Sequence, residues 1–218
     1  MKKLLSALFI ASTVVALAQP KKDPKMAATL TPGYYVGMKN DTTKGEIQTN
    51  PTGGETDFYK GFNFKKGAAK LAAVTTKKAK KYGFDGRNFV VIPFDAGEVY
   101  IEYLAKGRLC FYEYKYPSTL GGQPIVESIY FIHDTKADES SKELREIKQI
   151  SQKFYKKDIK PYMKEHQEIW DGLDKFTFNK EAIANAIRQY NTYYSSSEDV
   201  KVEVETEKVT GDDGEVKE

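Results

Sequence analysis

Cysteine and histidine are scarce in this sequence of 218 residues, which contains one cysteine and two histidines. Cys110 cannot form a disulfide within the chain, so the fold has to be stabilised by packing. Its neighbours Leu109 and Phe111 indicate a wall of the core, where a free cysteine is normally buried and inert. His133 and His166 are too few for a three-histidine metal site.

Short motifs that identify common catalytic and cofactor sites are also absent. The sequence contains no glycine-rich phosphate loop, no His-Glu-x-x-His and no Gly-x-Ser-x-Gly. We therefore predict no catalytic residue, no cofactor and no metal site. An alternative is nucleophilic catalysis by Cys110 with His133 as its base, which needs a third group to orient the imidazole. Asp134 is adjacent, but on a strand it points to the opposite face, so the pattern favours a structural cysteine.

Long apolar runs are missing after the first 18 residues. Residues 1–18 begin with Lys2 and Lys3, continue with an apolar stretch at 4–15 and end in Ala-Leu-Ala, the pattern of a cleaved secretory signal peptide. The apolar stretch is shorter than the roughly 20 residues that span a bilayer. The residue directly after the cleavage site is Gln19 and not the cysteine that would carry a lipid. We predict a secreted or periplasmic protein without a transmembrane anchor after cleavage.

Charge is distributed unevenly along the chain. Residues 195–218 contain nine acidic residues and three lysines, a net charge of −6, whereas residues 19–194 contain 29 basic and 22 acidic residues. This asymmetry is typical of a protein with an anionic partner, or of a tail that folds back weakly and keeps the body soluble, and we favour the second. The acidic tail is predicted to be disordered. The lysine cluster at 77–81 lacks interleaved stacking aromatics, so we predict no nucleic-acid binding.

Aromatic and β-branched residues are concentrated between residues 81 and 135, where glycine and proline interrupt them. This composition predicts an antiparallel sheet of about six to eight short strands, with an opening hairpin before it. Order is predicted to begin at Gly33, and residues 50–55 read as a loop. The strands are placed at residues 34–38, 45–49, 58–64, 74–76, 89–92, 99–104, 109–116 and 125–133.

A helical period replaces the strand pattern after Asp134. Apolar residues three and four apart predict an amphipathic helix that begins near Ser140 and ends or kinks at Pro161. A second apolar stripe continues to Gly172, and Asn179 is expected to cap a third helix. The first helix carries Leu144, Ile147, Ile150 and Phe154. The fold class is therefore α+β, with a flexible lead-in at 19–32 and a single domain at 33–194.

Tyrosine is abundant, with 15 residues, and three of them form a row on one strand. Tyr112, Tyr114 and Tyr116 share one face because successive strand residues alternate. Exposed aromatic rows stack on sugars or bind extended peptides, whereas the alternative is a tyrosine-rich sheet whose hydroxyls reach water at its rim. If the helices cover the opposite face, with Trp170 buried there, we expect the row to be a ligand contact.

Several short segments match a known pattern. They are the hairpin from Gly33-Tyr34 through Asp41-Thr42 to Gly45-Glu46-Ile47, the segments 81–86 and 104–109, and the helical Tyr190-Asn191 pair. In these features residues 33–194 resemble a family of uncharacterised secreted proteins typical of Bacteroidetes-type Gram-negative bacteria. The family often has a cysteine after the Tyr-Asn pair, where this chain has Tyr193. The resemblance implies a sheet followed by helices in the cell envelope, and it implies no activity.

The functional expectation is a non-enzymatic binding or scaffolding domain of the cell envelope. Its partner is expected to be an envelope protein, a peptide or a glycan. The alternative is a secreted hydrolase whose catalytic carboxylates are brought together by the fold. The candidates are Asp95, Glu98, Glu102 and Glu113.

Overall fold

A ten-stranded antiparallel sheet followed by three helices makes up the computed structural model, which describes residues 27–136, 146–175 and 177–195. The predicted signal peptide and acidic tail lie outside the described residues. The strands are β1 (Leu30–Gly37), β2 (Thr42–Gln48), β3 (Gly61–Lys65), β4 (Ala72–Thr75), β5 (Ala79–Phe84), β6 (Arg87–Phe94), β7 (Gly97–Ala105), β8 (Leu109–Leu120), β9 (Gln123–Asp134) and β10 (Lys148–Ile150). The helices are α1 (Tyr155–Met163), α2 (Gln167–Asp174) and α3 (Lys180–Ser195), and a 3-10 helix spans Gly54–Tyr59.

The α+β class is thus confirmed, while the number of strands is larger than predicted. β5 and β10 are additional to the eight strands placed from the sequence. The sheet order is β10-β9-β8-β7-β6-β5-β1-β2-β3-β4, so β1 lies inside the sheet, between β2 and β5. Gly33 permits this close pairing, because a Cβ at that position would lie 2.7 Å from the carbonyl oxygen of Gly83 on β5.

The first half of the sheet curls over itself. The ring of Phe62 on β3 stacks on Tyr82 on β5 with centroids 4.1 Å apart, although three strand spacings separate these strands in the sheet. In a flat sheet three spacings would be about 14 Å. The curl also brings Tyr100 on β7 to 6.1 Å from Phe62. It encloses an aromatic core that includes Phe58 and Phe89.

The second half of the sheet curls toward its opposite face. Phe94 on β6 and Phe131 on β9 are also three strand spacings apart, and their ring centroids lie 5.8 Å from each other. Ile92 and Ile101 are buried in this second core. β6 and β7 therefore form a wall between two cores that lie on opposite faces of the same strands.

The helices form a third core against β8 and β9. Phe111 and Ile132 are fully buried beneath α1, α2 and α3. Asn191 on α3 fixes the helix layer to the sheet, because its Oδ1 accepts a hydrogen bond from the Leu109 N–H (2.8 Å) and its Nδ2 donates to the Leu109 carbonyl (2.9 Å). Asn179 caps α3 as predicted, accepting a hydrogen bond from the Ala182 N–H at 3.0 Å.

Three local predictions are corrected. Residues 148–150 form β10 and helix α1 begins only at Tyr155, so the helix predicted from Ser140 is wrong over residues 146–154, while Leu144 lies outside the described residues. The predicted helix is correct from Tyr155 onward, and Pro161 lies inside α1, which continues to Met163. Ile150 packs under the helices and Ile147 against the second core, on opposite faces of the sheet, as strand residues do. β1 begins at Leu30, before Gly33, and the predicted loop at 50–55 runs into the 3-10 helix. Over the described part of the chain no helix is long and apolar enough to cross a membrane.

Candidate binding site where β7 and β8 diverge

β7 and β8 pair over only part of their lengths. Their paired residues extend from Ala105 and Phe111 to Glu102 and Glu113, with a register shift next to Ala105. Beyond this point β8 is paired with β9 through to the hairpin turn. Residues 114–129 are therefore a two-stranded ribbon that separates from β7.

The 3-10 helix lies against the point of divergence. Tyr59 contacts the first ring of the ribbon, Tyr114, edge to face with centroids 5.8 Å apart. Glu55 forms an ion pair with Lys115 at 3.2 Å. The loop between β2 and β3 thus supplies side chains to a site on β8 that is about 60 residues away in sequence.

The tyrosine row shares one face of β8, as the alternation predicts, and the helices cover the opposite face. Leu109 and Phe111 pack beneath the helices, and Tyr112 belongs to the second core. Tyr112 is only 2% exposed, and its ring lies 4.7 Å from that of Tyr103. The expectation that all three rings contact a ligand is therefore wrong for Tyr112, because the curl of the sheet encloses this part of the face.

Tyr114 and Tyr116 remain half-buried on the ribbon. Their rings are nearly parallel, with an interplanar angle of 16° and centroids 5.9 Å apart. The Tyr116 hydroxyl donates a hydrogen bond to Glu127 Oε2 at 2.5 Å, and this bond raises the pKa of Tyr116. Burial, and then the charge of Asp95, raises the pKa of Tyr114. These two rings form a small aromatic platform beside a carboxylate.

Two of the four candidate carboxylates are brought together at the divergence. Glu102 and Glu113 stand directly opposite each other on β7 and β8, and both are buried. Residues in this position have Cβ atoms about 4.5–5.5 Å apart and share one face. Asp95 and Glu98 lie apart from them, exposed at the turn between β6 and β7.

Each buried carboxylate is held by several donors. Glu102 accepts hydrogen bonds from the Tyr59 hydroxyl (2.9 Å) and from Arg87 Nε and Nη2 (2.7 and 2.6 Å). Glu113 accepts from Ser128 Oγ, the Tyr130 hydroxyl and Lys180 Nζ at 2.7–3.2 Å. Glu113 is only 2% exposed, so these side chains shield it from a substrate.

The whole cluster is electrically balanced. Glu55 completes it by accepting from Arg87 Nη2 at 2.6 Å and from Lys115. Three carboxylates therefore face three cations, Arg87, Lys115 and Lys180. Partial burial alone would raise the pKa of Glu55, but Arg87 and Lys115 outweigh it and hold that pKa below its usual value. Burial and the Glu113 charge raise the pKa of Tyr130 to about 12.

The two histidines do not assemble a catalytic site with the cysteine. His133 stands directly opposite Cys110 on β9, but Cys110 is 3% exposed and its thiol donates to the Gly107 carbonyl at 3.3 Å. Asp134 lies on the other face, 3.6 Å from Arg108 Nε, so it cannot orient the His133 imidazole. Cys110 is thus buried, as its neighbours predict.

His166 packs against aromatic residues of α3. Its ring stacks on Tyr193 with centroids 4.2 Å apart, and Tyr190 lies edge to face with it. Trp170, four residues after His166, lies under the ammonium group of Lys160. No group of three or more histidine, cysteine or acidic side chains that could hold a metal ion occurs in the described ranges.

Sequence reasoning missed the partners of the two buried carboxylates, among them Arg87 and Tyr59. Arg87 follows the turn at Asp85 and Gly86, and Tyr59 lies in a segment expected to be a strand. The only sequence signal at either position was its residue type. A comparison with protein-family models, curated proteins and solved structures finds no match to this chain.

Proposed function

We propose that this chain is a non-enzymatic binding domain of the cell envelope that contacts a glycan through Tyr114 and Tyr116. One observation carries the proposal: two nearly parallel, half-exposed tyrosine rings stand on a ribbon that has separated from β7. Such rings present apolar faces with polar hydroxyl ends, which suit the C–H faces and hydroxyls of sugar rings. A secreted or periplasmic location rests on the signal-peptide pattern of residues 1–18.

Carboxylates beside the platform favour a sugar further. Glu127 already accepts the Tyr116 hydroxyl, and Asp95 lies close enough to Tyr114 to raise its pKa. Carboxylate oxygens accept hydrogen bonds from sugar hydroxyls, while the rings supply the stacking surface. The platform therefore combines the two kinds of contact that a polyhydroxylated ligand needs.

Two prolines make an extended peptide a less suitable ligand. Pro117 pairs with Val126 and Pro124 with Thr119 in the ribbon. A proline fits an antiparallel pair only where the missing N–H would point away from the partner strand. Each edge of the ribbon consequently lacks an outward donor, which disfavours the addition of a peptide as a further strand.

The test is affinity electrophoresis through gels that contain soluble polysaccharides or peptidoglycan fragments. We expect at least one glycan to retard the protein, and the variant Tyr114→Ser/Tyr116→Ser to migrate as in an empty gel. Tyr193→Ser is the matched control, because Tyr193 is 45% exposed but lies on α3. Unchanged retardation of the double variant would refute the site. Peptide binding without glycan binding would refute the ligand class.

A hydrolase is the second candidate, and the register of Glu102 and Glu113 is the observation that favours it. Retaining glycosidases place two carboxyl groups about 5 Å apart. The ion pairs of both residues argue against it, since one carboxyl group of such a pair must be able to donate a proton. If the wild-type protein cleaves the retarding glycan and the variants Glu102→Gln and Glu113→Gln leave it intact, the hydrolase hypothesis is correct.

A further inference from the structure

A stripe of lysines runs along the exposed face of α1. Lys157, Lys160 and Lys164 follow one another at spacings of three and four residues, which places them on one side of α1 and its C-cap. Lys153 lies in the turn two residues before α1. All four are exposed, while Tyr155, Ile159 and Tyr162 on the other side of α1 are buried. We call these four residues the lysine stripe.

Nearby acidic groups do not neutralise the lysine stripe. None of its four lysines forms an ion pair with any residue in the described ranges. The acidic side chains around α1 and α2 have other partners: Asp158 accepts from the Ser151 N–H, Asp174 pairs with Lys156, Glu165 with Arg108, and Glu168 with His166. The stripe is thus an uncompensated basic surface.

An exposed aromatic residue and a hollow adjoin the stripe. Phe154 is 56% exposed, and Lys153 Nζ lies 5.3 Å from its ring centroid. A hollow of about 480 Å³ opens here, lined by Phe154, Tyr155, Phe178 and the first lysines of α1. The surface therefore combines positive charge with accessible apolar area.

We propose that the acidic segment 196–218 of this same chain binds along the lysine stripe. The segment follows Ser195, the last residue of α3. α3 ends beside the stripe, because Tyr193 stacks on His166, two residues after Lys164. The acidic segment therefore begins next to the lysine stripe, at the end of α3.

Length and spacing fit this arrangement. α1 has nine residues and is about 13 Å long. The thirteen residues from Ser195 to Glu207 can span about 40 Å when extended. In an extended chain Glu203, Glu205 and Glu207 share one side at intervals of about 6.8 Å, close to the roughly 4.5–6 Å steps of the stripe.

The first experiment measures the reactivity of lysine amines in the full-length protein by mass spectrometry. The comparison variant neutralises the segment by Glu198→Gln, Glu203→Gln, Glu205→Gln and Glu207→Gln. We expect stripe lysines to react at least about threefold more slowly in the wild type than in this variant. Salt at 0.5 M should remove the difference, because the Debye length falls to about 4 Å. The exposed control lysines Lys66, Lys70, Lys77 and Lys78 should react equally in both proteins.

A second experiment follows the segment itself. The only cysteine is buried, so Val209→Cys allows a fluorophore to be attached there. We expect its anisotropy to fall when the four stripe lysines are changed to glutamine, and to stay constant when the four control lysines are changed.

Three results would overturn the proposal. One is equal amine reactivity of the stripe in the wild type and the neutralised variant. A second is cross-linking between stripe and segment that joins only different chains in a mixture of isotopically light and heavy protein. The third is protection of the stripe by vesicles of anionic phospholipid but not by the segment, which would mean that the surface binds a membrane. None of these results depends on Tyr114 or Tyr116. Failure of this proposal can therefore be distinguished from failure of the proposed glycan site.

Discussion

Glu113→Gln is the substitution that best separates a structural ion cluster from a catalytic one. The change keeps the shape of the side chain and one acceptor for Ser128 or Tyr130, but it removes the negative charge that faces Lys180. Breaking a fully buried ion pair costs about 3–5 kcal/mol. The Lys180 side chain is 33% exposed and can regain water, so we expect a smaller loss of about 2 kcal/mol.

The loss corresponds to a fall in Tm of about 4–8 °C for a chain of this size. Thermal and urea unfolding at pH 7 measure it, with Glu98→Gln as the control because Glu98 is exposed and carries the same charge. The control should change stability by less than about 0.5 kcal/mol. An unchanged Tm would refute a structural role for the cluster. A raised Tm would indicate strain of the kind stored in catalytic sites.

Three further outcomes are expected. Asn191→Ala should lower the free energy of unfolding in urea by about 2–4 kcal/mol, because it leaves the buried N–H and carbonyl of Leu109 unpaired. Asn185→Ala, on the exposed side of α3, should cost little. Equal costs would contradict the role of Asn191 in holding α3 to the sheet. The pKa of Glu55 is lowered in the folded state, so its ion pairs stabilise the protein above about pH 4.5 and lose that contribution as the pH falls through the folded pKa. Glu55→Gln should therefore flatten the decline of Tm in acid. Parallel curves of Tm against pH for the wild type and the variant would contradict these ion pairs. Limited proteolysis should trim the chain to about residues 30–195, and stable fragments cut between β9 and β10 would indicate two domains.

The alternation of β8 could be predicted from the sequence because it depends only on the two-residue period of a strand. Cys110, Tyr112 and Tyr114 share a face, and Leu109 and Phe111 take the opposite one. The cap at Asn179 was equally local. Such features follow from neighbouring residues alone, and they were predicted correctly.

The candidate site was harder to predict from the sequence, because it depends on the register between strands and on the curvature of the sheet. A tight turn after Ala105 would pair Leu104 with Leu109 and put Glu102 opposite Phe111. In the structure the turn is longer and Ala105 pairs with Phe111, and the register shift between Tyr103 and Ala105 then places Glu102 opposite Glu113 and not Tyr114. The burial of Tyr112 likewise results from the curl of the sheet. This curl depends on many strands together, so the pattern of one strand does not predict it.

β10 shows how one apolar pattern can fit two structures. Ile147, Ile150 and Phe154 are spaced as on a helical face, so periodicity alone indicated a helix. A residue spacing of three also alternates faces in a strand, and pairing with β9 decides between the two. This pairing places Ile150 opposite Tyr130, which no local pattern reveals.

Tyrosine side-chain NMR with ¹³C-labelled rings tests the central claim most directly. The spectra would be recorded while the glycan that retards the protein most strongly in gels is added. We expect the resonances of Tyr114 and Tyr116 to shift with a common dissociation constant, while that of Tyr193 stays in place. Shifts confined to Tyr59 and Tyr130, which donate to Glu102 and Glu113, would place the glycan at the buried carboxylates and contradict the binding site proposed on the ribbon.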